Sequence, residues 1–347
     1  MQIGIDSFAA VVSDPDTGTT LSGAERLANL LEEVEVADRS GIDVFGIGEH
    51  HRQEYLDSAP TLILAAAAAR TESIRLTSAV TVLSADDPVR VFQQFATLDL
   101  LSGGRTEMVV GRGSSVEAYP LFGHDLRDYD SLFAEKLELL LQLREEAHPT
   151  WQGHHRPALT GQGVFPRPVQ ERLPIWLGVG GTPESFARAG LLGLPLMVAI
   201  IGGTFDRFRP LVDLYREAGR QAGHEPEALR VGVHAFGFVA ETDQAAVDAT
   251  WPGYVRLMST IGRERGWAPP HKAQYEAAAA PGGAYLIGSP DSVVAKAHHV
   301  DEVLGGVDRL TFQMTNVALP HPAMVRSIEL LGSEVAPRIR AEAGAPA

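Results

Sequence analysis

Short apolar runs alternate with longer amphipathic stretches along the whole chain. The apolar runs have the length and the unbroken hydrophobic character of strands that are buried on both faces. They predict eight strands, at residues 3–8, 44–50, 74–83, 106–111, 174–179, 196–201, 229–239 and 310–314. Strands that alternate with helices are typical of a parallel sheet, so the pattern predicts an α/β fold.

The amphipathic stretches between these strands have the spacing of helices. Helices are predicted at residues 22–40, 59–70, 89–101, 128–146, 183–192, 207–222, 243–266 and 321–340, and another begins at residue 289. Residues 147–174 interrupt the alternation and predict an inserted hairpin or loop, and residues 267–284 predict a long loop. Because composition does not change along the chain, the pattern favours one closed TIM (β/α)8 barrel with inserted loops, a single domain over residues 1–347.

The composition narrows the classes of function. The chain has 347 residues, of which 45% are hydrophobic and 21% are charged, as expected of a globular protein with a large core. Its net charge of −15 argues against nucleic-acid or anionic-membrane partners, which require a basic surface. The absence of cysteine excludes thiolate nucleophiles, cysteine-ligated metals and disulfides. No targeting segment or membrane-length apolar run is seen, and we expect a cytoplasmic location.

Ionisable residues cluster where the second predicted strand ends, at Glu49, His50 and His51. In parallel α/β proteins the carboxyl ends of strands are where ligands bind. Successive strand residues point to opposite faces, so we expect one histidine to face the barrel mouth and the other to pack outward. The metal-binding spacings His-x-His and His-Glu-x-x-His are missing, so we predict no metal, and keep a metal-dependent barrel hydrolase as an alternative.

Glycines accompany candidate anion-binding groups at two further strand ends. Arg112 lies between two glycines, where a fixed guanidinium suits an anion, although a tight turn with Arg112 paired to a surface carboxylate explains the residues equally well. After the fifth strand, Thr182 is a good N-cap and Pro183 a good first helical residue. Gly180 and Gly181 would leave the helix N–H groups open to a phosphate, whereas an ordinary capped helix is locally the commoner case. Barrels commonly hold phosphate at such a helix start, which favours the anion site.

Two polar residues lie within otherwise apolar strands. His234 belongs to the seventh predicted strand and Gln313 to the eighth. We expect each to be a hydrogen-bonded core residue, because buried polar groups are normally paired.

Two stretches resemble the bacterial luciferase-like flavin-dependent oxidoreductases: residues 78–90, SAVTVLSADDPVR, and residues 94–105, QFATLDLLSGGR. The Glu-His-His strand end, the Gly-Arg-Gly turn, the Gly-Thr-Pro-Glu-Ser helix start and the tail at residues 330–337 fall where that family has its own. The resemblance runs nearly the whole chain and is most specific from residue 48 to residue 113. It implies a TIM barrel that binds reduced flavin mononucleotide (FMN) at its carboxyl face, usually as a dimer formed by helices two and three.

The resemblance also implies roles for individual residues. His50 matches the histidine that assists the flavin hydroperoxide step in luciferase α subunits, and residues 267–283 correspond to a mobile lid. Ala79 and Val80 match the pair whose peptide bond is often cis and lies under the flavin ring. Positions that match the phosphate-binding residues are Arg112, Gly181, Thr182 and Ser185, and the neighbouring Gly180 joins the predicted cofactor site.

The sequence departs from the luciferases at two positions. A second phosphate-binding arginine of the family falls at Asp130, where Arg127 or Tyr129 is the candidate to replace it. The luciferase cysteine near the flavin falls at Gly111. Light emission is therefore not implied, and a monooxygenase of unknown substrate is the function that the resemblance supports.

The sequence therefore predicts a flavin-dependent monooxygenase that uses reduced FMN and molecular oxygen to oxidise a small organic substrate, with His50 as the catalytic residue. No glycine fingerprint for a nicotinamide is seen, so the reduced flavin is expected from a separate NAD(P)H:flavin reductase. The resemblance further implies a homodimer. The alternatives are a deazaflavin-dependent hydride-transfer enzyme on the same fold, the metal-dependent hydrolase, and a non-catalytic flavin-binding protein.

Overall fold

The computed structural model describes residues 1–14, 17–113 and 115–343. Within these ranges the strands are β1 (Gln2–Ser7), β2 (Val44–Ile47), β3 (Arg75–Ser78), β4 (Thr81–Val82), β5 (Met108–Gly111), β6 (Thr150–Trp151), β7 (Leu159–Thr160), β8 (Ile175–Val179), β9 (Leu196–Ala199), β10 (Val231–Val239), β11 (Leu286–Gly288) and β12 (Arg309–Gln313). The helices are α1 (Gly23–Arg39), α2 (Pro60–Ala68), α3 (Pro88–Ser102), α4 (Ala118–Leu121), α5 (Tyr129–Glu145), α6 (Pro183–Leu191), α7 (Arg209–Gln221), α8 (Asp243–Arg265), α9 (Lys272–Ala279), α10 (Pro290–Leu304), α11 (His321–Leu330) and α12 (Ala336–Ala343).

A barrel of parallel strands forms the centre of the molecule. The strand order is β3-β2-β1-β12-β10-β9-β8-β5-β4, and each neighbouring pair is parallel. The ends of this order, β3 and β4, are halves of one interrupted strand. A parallel bridge between Leu76 of β3 and Thr106, just before β5, joins the two edges. The predicted TIM barrel is therefore confirmed, with its third strand split in two.

The ends and faces of the outer helices follow from their sequences. Helix α1 begins with a capping box, in which the Ser22 side chain accepts from the Glu25 backbone N–H and the Glu25 carboxylate accepts from the Ser22 backbone N–H. Its Leu30 and Val34, one turn apart, are buried in the core. Burial of such side chains stabilises the fold by about 1.5–3 kcal/mol each. Helix α3 ends at Gly103 in the left-handed conformation that glycine favours.

The interior of the barrel is filled near the start of the strands and open beyond it. Arg309 forms a buried ion pair with Glu107, and its guanidinium lies 4.3 Å from the ring centre of Trp176. Further along the strands, small inward residues leave space, at Gly46, Thr77, Gly178 and Thr311. A cavity therefore reaches into the barrel from the carboxyl ends of the strands.

Outside the barrel, one predicted insertion is confirmed and the other is corrected. Residues 147–174 contain the antiparallel β6–β7 hairpin. The prediction of a long loop at residues 267–284 is wrong, because α9 lies within this segment. Prolines and glycines at both ends indicate a loop, but the alanine-rich centre favours a helix and buries Tyr275. Strand β11, which pairs with β10, is also absent from the sequence-based prediction.

The closing helix predicted at residues 321–340 is interrupted by a π-helical turn at Leu331–Val335. Within this turn Gly332 packs against α1, since a Cβ at this position would lie 2.4 Å from the Ser40 carbonyl oxygen. Among the helices of the described residues, none combines the length and the apolar character needed to cross a bilayer.

Candidate active site

One large cavity opens at the carboxyl ends of the barrel strands, with a volume of about 900 Å³. The predicted site residues that line it are His50, Ala79, Val80, Arg112, Gly180 and Thr182. Gly181 and Ser185 do not line the cavity, but they flank Thr182 at the start of α6. The barrel therefore gathers the ends of β2, β3, β5 and β8 around one space.

A buried carboxylate holds His50. The Nδ1 atom of His50 lies 2.9 Å from Asp57 Oδ2, and its backbone N–H donates to Asp57 Oδ1 at 3.1 Å. An ionised carboxylate can only accept, so Asp57 keeps the proton on Nδ1 and leaves Nε2 for a ligand. Burial raises the pKa of Asp57, while the hydrogen bond with His50 opposes that shift. The ring centres of Phe8 and Tyr55 lie 4.6 and 4.5 Å from that of the imidazole.

His51 packs away from the cavity, as predicted, but strand alternation is not the cause, because β2 ends at Ile47 and both histidines lie in the loop that follows it. Its Nε2 lies 3.1 Å from Glu49 Oε1, and this hydrogen bond raises the pKa of His51. Its ring meets Phe122 edge-on, with 5.0 Å between ring centres. The second carboxylate oxygen of Glu49 accepts from the Val82 backbone N–H at 2.9 Å. His51 and Glu49 therefore tie the end of β2 to β4.

The break in the third barrel strand contains a cis peptide bond between Ala79 and Val80, the geometry that the family resemblance implies for this pair. Ser78 holds the break against β5. Its hydroxyl donates to the Val109 carbonyl at 2.9 Å and accepts from the Val109 backbone N–H at 3.2 Å. The strand break is therefore held by a direct contact between neighbouring strands.

Val80 packs into a space that two glycines leave open. A Cβ at Gly178 would lie 2.8 Å from Val80 Cγ1, and a Cβ at Gly111 would lie 2.9 Å from Val80 Cγ2. Cβ atoms essentially never approach another heavy atom so closely, so a side chain at either position would displace Val80. This contact accounts for glycine at position 111, where the luciferases have a cysteine.

Arg112 is paired with a surface carboxylate, which is one of the two environments that its sequence context suggested. Its Nη1 donates to Asp130 Oδ1 at 2.6 Å and its Nη2 to the Ser185 hydroxyl at 3.2 Å. The guanidinium also lies 5.0 Å from the ring centre of Tyr129. The Tyr119 hydroxyl donates to the Arg112 carbonyl at 3.0 Å and fixes the backbone. Arg112 is thus paired with a surface carboxylate and at the same time lines the cavity.

Of the two candidates to replace the missing family arginine, Tyr129 is the one that contacts Arg112. Tyr129 lines the cavity and donates to the Gly113 carbonyl at 3.0 Å. Arg127 pairs instead with Asp125 at 2.6 Å, and its side chain is 88% exposed to solvent. Ser114, which follows the Gly-Arg-Gly turn, lies outside the described residues.

Helix α6 begins at Pro183, as predicted, but its cap differs from the prediction. Thr182 occupies the N-cap position, yet within the described part of the chain its side chain makes no capping hydrogen bond. Pro183 has no backbone N–H, and the Ser185 N–H donates to the Thr182 carbonyl at 3.0 Å. The Thr182 hydroxyl and the Glu184 N–H are therefore the groups at this helix start that are left for a ligand. A Cβ at Gly180 or Gly181 would meet nothing within 4 Å, so access to the helix start is open.

The sequence model of the family described as luciferase-like monooxygenase matches residues 1–306. The chain belongs to this family. It is accordingly an enzyme of the monooxygenase class. Among its relatives, 4-hydroxyprotoasukamycin monooxygenase from Streptomyces nodosus subsp. asukaensis is 30% identical over 331 residues, which cover 89% of this chain and 85% of the relative.

Two solved structures resemble this luciferase-like monooxygenase in fold. The oxygenating constituent of 3,6-diketocamphane monooxygenase from Pseudomonas putida, a type II Baeyer–Villiger monooxygenase in complex with FMN, has a TM-score of 0.77 and 21% identity, covering 98% of this chain and 99% of the other. An F420-dependent secondary alcohol dehydrogenase in complex with an F420–acetone adduct has a TM-score of 0.76 and 19% identity, covering 98% and 99%. Identity this low shows that the fold is shared and by itself carries no information about the reaction.

The segment after α8 covers the cavity of this luciferase-like monooxygenase. Residues 267–271 all line the cavity. Arg52, which follows β2, connects to the end of α8 through Glu264 at 2.7 Å. The covering segment therefore begins where the resemblance implies a lid, and an ion pair joins the end of α8 to the loop that follows β2.

The sequence pattern does not predict the polar inner wall of the cavity in this luciferase-like monooxygenase. His234 and Gln313, expected as core residues, line the cavity together with Asp6. His234 does have the expected hydrogen bond, since its Nδ1 lies 2.6 Å from Asp6 Oδ2. A signal was present in the sequence, because each residue interrupts an apolar strand, but the cavity that they share depends on strand pairing.

Proposed function

We propose that this enzyme uses reduced FMN and molecular oxygen to oxidise a small organic substrate. The observation that carries the proposal is that His50, the Ala79–Val80 pair and Arg112 line one cavity of about 900 Å³. Oxygenation is supported by the 30% identical relative, which is named a monooxygenase. FMN is supported by the similarly folded monooxygenase that holds it.

The cavity fits the shape and the charge of FMN. Ala79 and Val80, backed by glycines that admit no side chain, offer a surface on which a flat ring system can lie. The Arg112 guanidinium, the Thr182 hydroxyl and the Glu184 N–H at the start of α6 suit the phosphate. The residues proposed to bind the cofactor are Ala79, Val80, Arg112, Gly180, Gly181, Thr182 and Ser185.

His50 is the proposed catalytic residue. Reduced flavin, when bound, supplies the reaction with oxygen. Because Asp57 holds the proton on His50 Nδ1, Nε2 is the atom that can give or take a proton beside the substrate. Phe8, Tyr55 and residues 267–271 surround the same space and exclude water from it.

A deazaflavin-dependent hydride transfer is the second candidate function. It is favoured by the likeness in fold to the F420-dependent alcohol dehydrogenase. Anaerobic binding titrations with reduced FMN and with reduced F420 separate the two candidates. A hydride-transfer enzyme would also oxidise or reduce its substrate without consuming oxygen.

The proposal includes partners. A separate NAD(P)H:flavin reductase would supply reduced FMN, and this requirement for NAD(P)H suits a cytoplasmic location.

We propose that residues 1–347 act as one domain and assemble as a homodimer through α2 and α3. These helices expose Leu62, Leu100 and Leu101 by 72%, 50% and 63%. Sedimentation of Leu62→Glu and Leu101→Glu variants tests the dimer, since a charge in a packed interface should yield monomers.

The test of the function is an anaerobic titration of the purified chain with reduced FMN, followed by labelled oxygen and a panel of organic compounds. We expect saturable binding of reduced FMN and transfer of labelled oxygen into a product. No affinity for reduced FMN, or turnover that does not require oxygen, would reject the proposal.

A further inference from the structure

Asp6, His234 and Gln313, here called the polar wall, lie on strands that pair with one another. Asp6 of β1 is the register partner of Gln313 of β12, and Gln313 is in turn the partner of Phe236, two residues after His234 on β10. All three polar residues line the cavity. Side chains at such positions point into the barrel together, so the polar wall is one continuous patch.

The polar wall is buried and only partly hydrogen-bonded. Asp6, Gln313 and His234 are 2%, 3% and 9% exposed. His234 Nδ1 bonds to Asp6 Oδ2 at 2.6 Å, but Asp6 Oδ1 and Gln313 Oε1 have no hydrogen-bond partner among the described residues. Leaving a buried acceptor unpaired is costly, so two acceptors side by side on a cavity wall indicate a site for a hydrogen-bond donor.

We propose that the polar wall binds a hydroxyl group of the organic substrate. The hydroxyl proton is donated to Asp6 Oδ1, with Gln313 beside it on the neighbouring strand. This inference rests on the proposed function, because it names the class of compound that the oxidation takes: a hydroxylated organic molecule. Asp6 and Gln313 are binding residues in this role, and His234 is a positioning residue that holds the Asp6 carboxylate.

Aromatic side chains next to the polar wall favour a flat, apolar body for this substrate. The Phe8 ring lies nearly parallel to the His234 ring, with 6.2 Å between centres and 13° between planes. The same Phe8 ring lies 4.6 Å from the ring of His50. Phe8 therefore links the polar wall to the proposed catalytic histidine, and a ring held at the wall is held near His50.

The unpaired acceptors of the polar wall disfavour an anionic group at this position. Asp6 Oδ1 and Gln313 Oε1 both present lone pairs, and two such acceptors repel an anion. A phosphate is better placed at Arg112, which also lines the cavity. The two groups therefore divide the cavity into an anion-binding part and a donor-binding part.

An N–H group of the flavin ring could provide the same donor chemistry as the substrate hydroxyl. Substitution of Asp6 and Gln313 distinguishes the substrate hydroxyl from the flavin N–H as the donor, because each donor predicts the loss of a different binding property. If the substrate is the donor, the variants lose selectivity for hydroxylated compounds and keep their affinity for FMN. If the flavin is the donor, they lose affinity for FMN.

The experiment is a fluorescence titration in which the purified full-length chain is first saturated with FMN. It is then titrated separately with β-naphthol and with the methyl ether of β-naphthol, which has a similar shape but no O–H donor. We expect β-naphthol to bind about tenfold more tightly, as a hydrogen bond to an otherwise unpaired buried acceptor predicts. Asp6→Leu, which removes the accepting oxygen, should bring the two affinities within about twofold of each other, and Gln313→Met should lower the preference by about half. Thr77→Val, a change of similar volume at another cavity-lining residue, should preserve the preference.

Three results would overturn the proposal. They are absence of saturable β-naphthol binding to the wild type, equal affinities for β-naphthol and its ether, and a preference that is undiminished in both wall variants. Variants that bind FMN more weakly but keep the preference would assign the acceptors to the flavin ring instead. If the wild type did not bind FMN, the proposed function would be rejected separately. The affinities for β-naphthol and its ether can still be compared in that case, because they can be measured on the chain without FMN.

Discussion

Arg112 Nη1 lies 2.6 Å from Asp130 Oδ1, so a carboxylate already occupies the guanidinium that would bind the phosphate of FMN. Asp130 stands at the position where the luciferases carry a second phosphate-binding arginine. Its side chain is 76% exposed, and ion pairs of that kind are worth only about 0–1 kcal/mol. The pair can therefore open when a phosphate binds, at a small cost in affinity.

Removal of the Asp130 charge should therefore strengthen the binding of FMN. We expect Asp130→Asn to lower the dissociation constant of reduced FMN by about twofold to fivefold at low salt, while that of riboflavin does not change. Asp128→Asn removes a nearby acid without an ion pair to Arg112 and is the matched control. An equal effect of both variants would mean that general charge, and not this contact, limits affinity.

Arg112 should matter for the phosphate and not for the flavin ring. We expect Arg112→Ala to raise the dissociation constant of reduced FMN by about tenfold to a hundredfold, because a charge-assisted hydrogen bond is worth roughly 1.5–3 kcal/mol. The dissociation constant of riboflavin, which has no phosphate, should hardly change. Isothermal titration under anaerobic conditions measures both. Equal losses for the two ligands would reject the phosphate role.

His50 should affect the reaction more than the binding of the cofactor. We expect His50→Ala to keep the affinity for FMN within about twofold and to lower product formation by about a hundredfold or more, the usual size of acid–base effects. Asp57→Asn should keep FMN affinity and lower the rate less, because it changes only how the imidazole is held. Unchanged turnover in His50→Ala would remove this residue from the mechanism.

The glycine contact beneath Val80 can be tested by adding one methyl group. Gly178→Ala would place its Cβ 2.8 Å from Val80 Cγ1, so we expect a loss of about 1–3 kcal/mol in unfolding free energy and weaker FMN binding. Gly202→Ala is the control, since a Cβ there would meet nothing within 4 Å. Urea unfolding and FMN titration of both variants measure the effects. Full stability and full affinity in Gly178→Ala would contradict the contact.

His321 should make stability depend on pH. Hydrogen bonds to Glu33 and then Glu32 raise the pKa of His321 above its ordinary value of 6.5. A raised pKa in the folded state means that the stabilisation is fully present below pH 6.5 and is lost as the pH rises through the raised pKa. We expect His321→Gln to be less stable than the wild type by about 1 kcal/mol at acidic pH, and the difference to shrink at alkaline pH. A difference that does not vary with pH in urea unfolding would contradict this contribution.

The prolines and glycines at the two ends of residues 267–284 show how local sequence signals can hide a helix. Prolines and glycines at its borders predict a loop, and each of them does break regular structure. Between them, however, Lys272–Ala279 has good helix formers and a tyrosine that becomes buried, so tertiary contact stabilises a helix that the borders do not reveal. Thr182 is a related case: its type predicts a side-chain cap, but the conformation that the barrel imposes leaves the hydroxyl uncommitted.

The sequence by itself determined the alternation of strands and helices, the barrel, and the strand ends at which His50, Arg112 and Thr182 stand, because periodicity and turn chemistry are properties of neighbouring residues. Only the tertiary structure decided which side chains meet. Asp57 reaches His50, Asp130 reaches Arg112, and Asp6 meets His234 across 228 positions of the chain. Such contacts depend on strand register and on the closing of the barrel, and no local pattern records them.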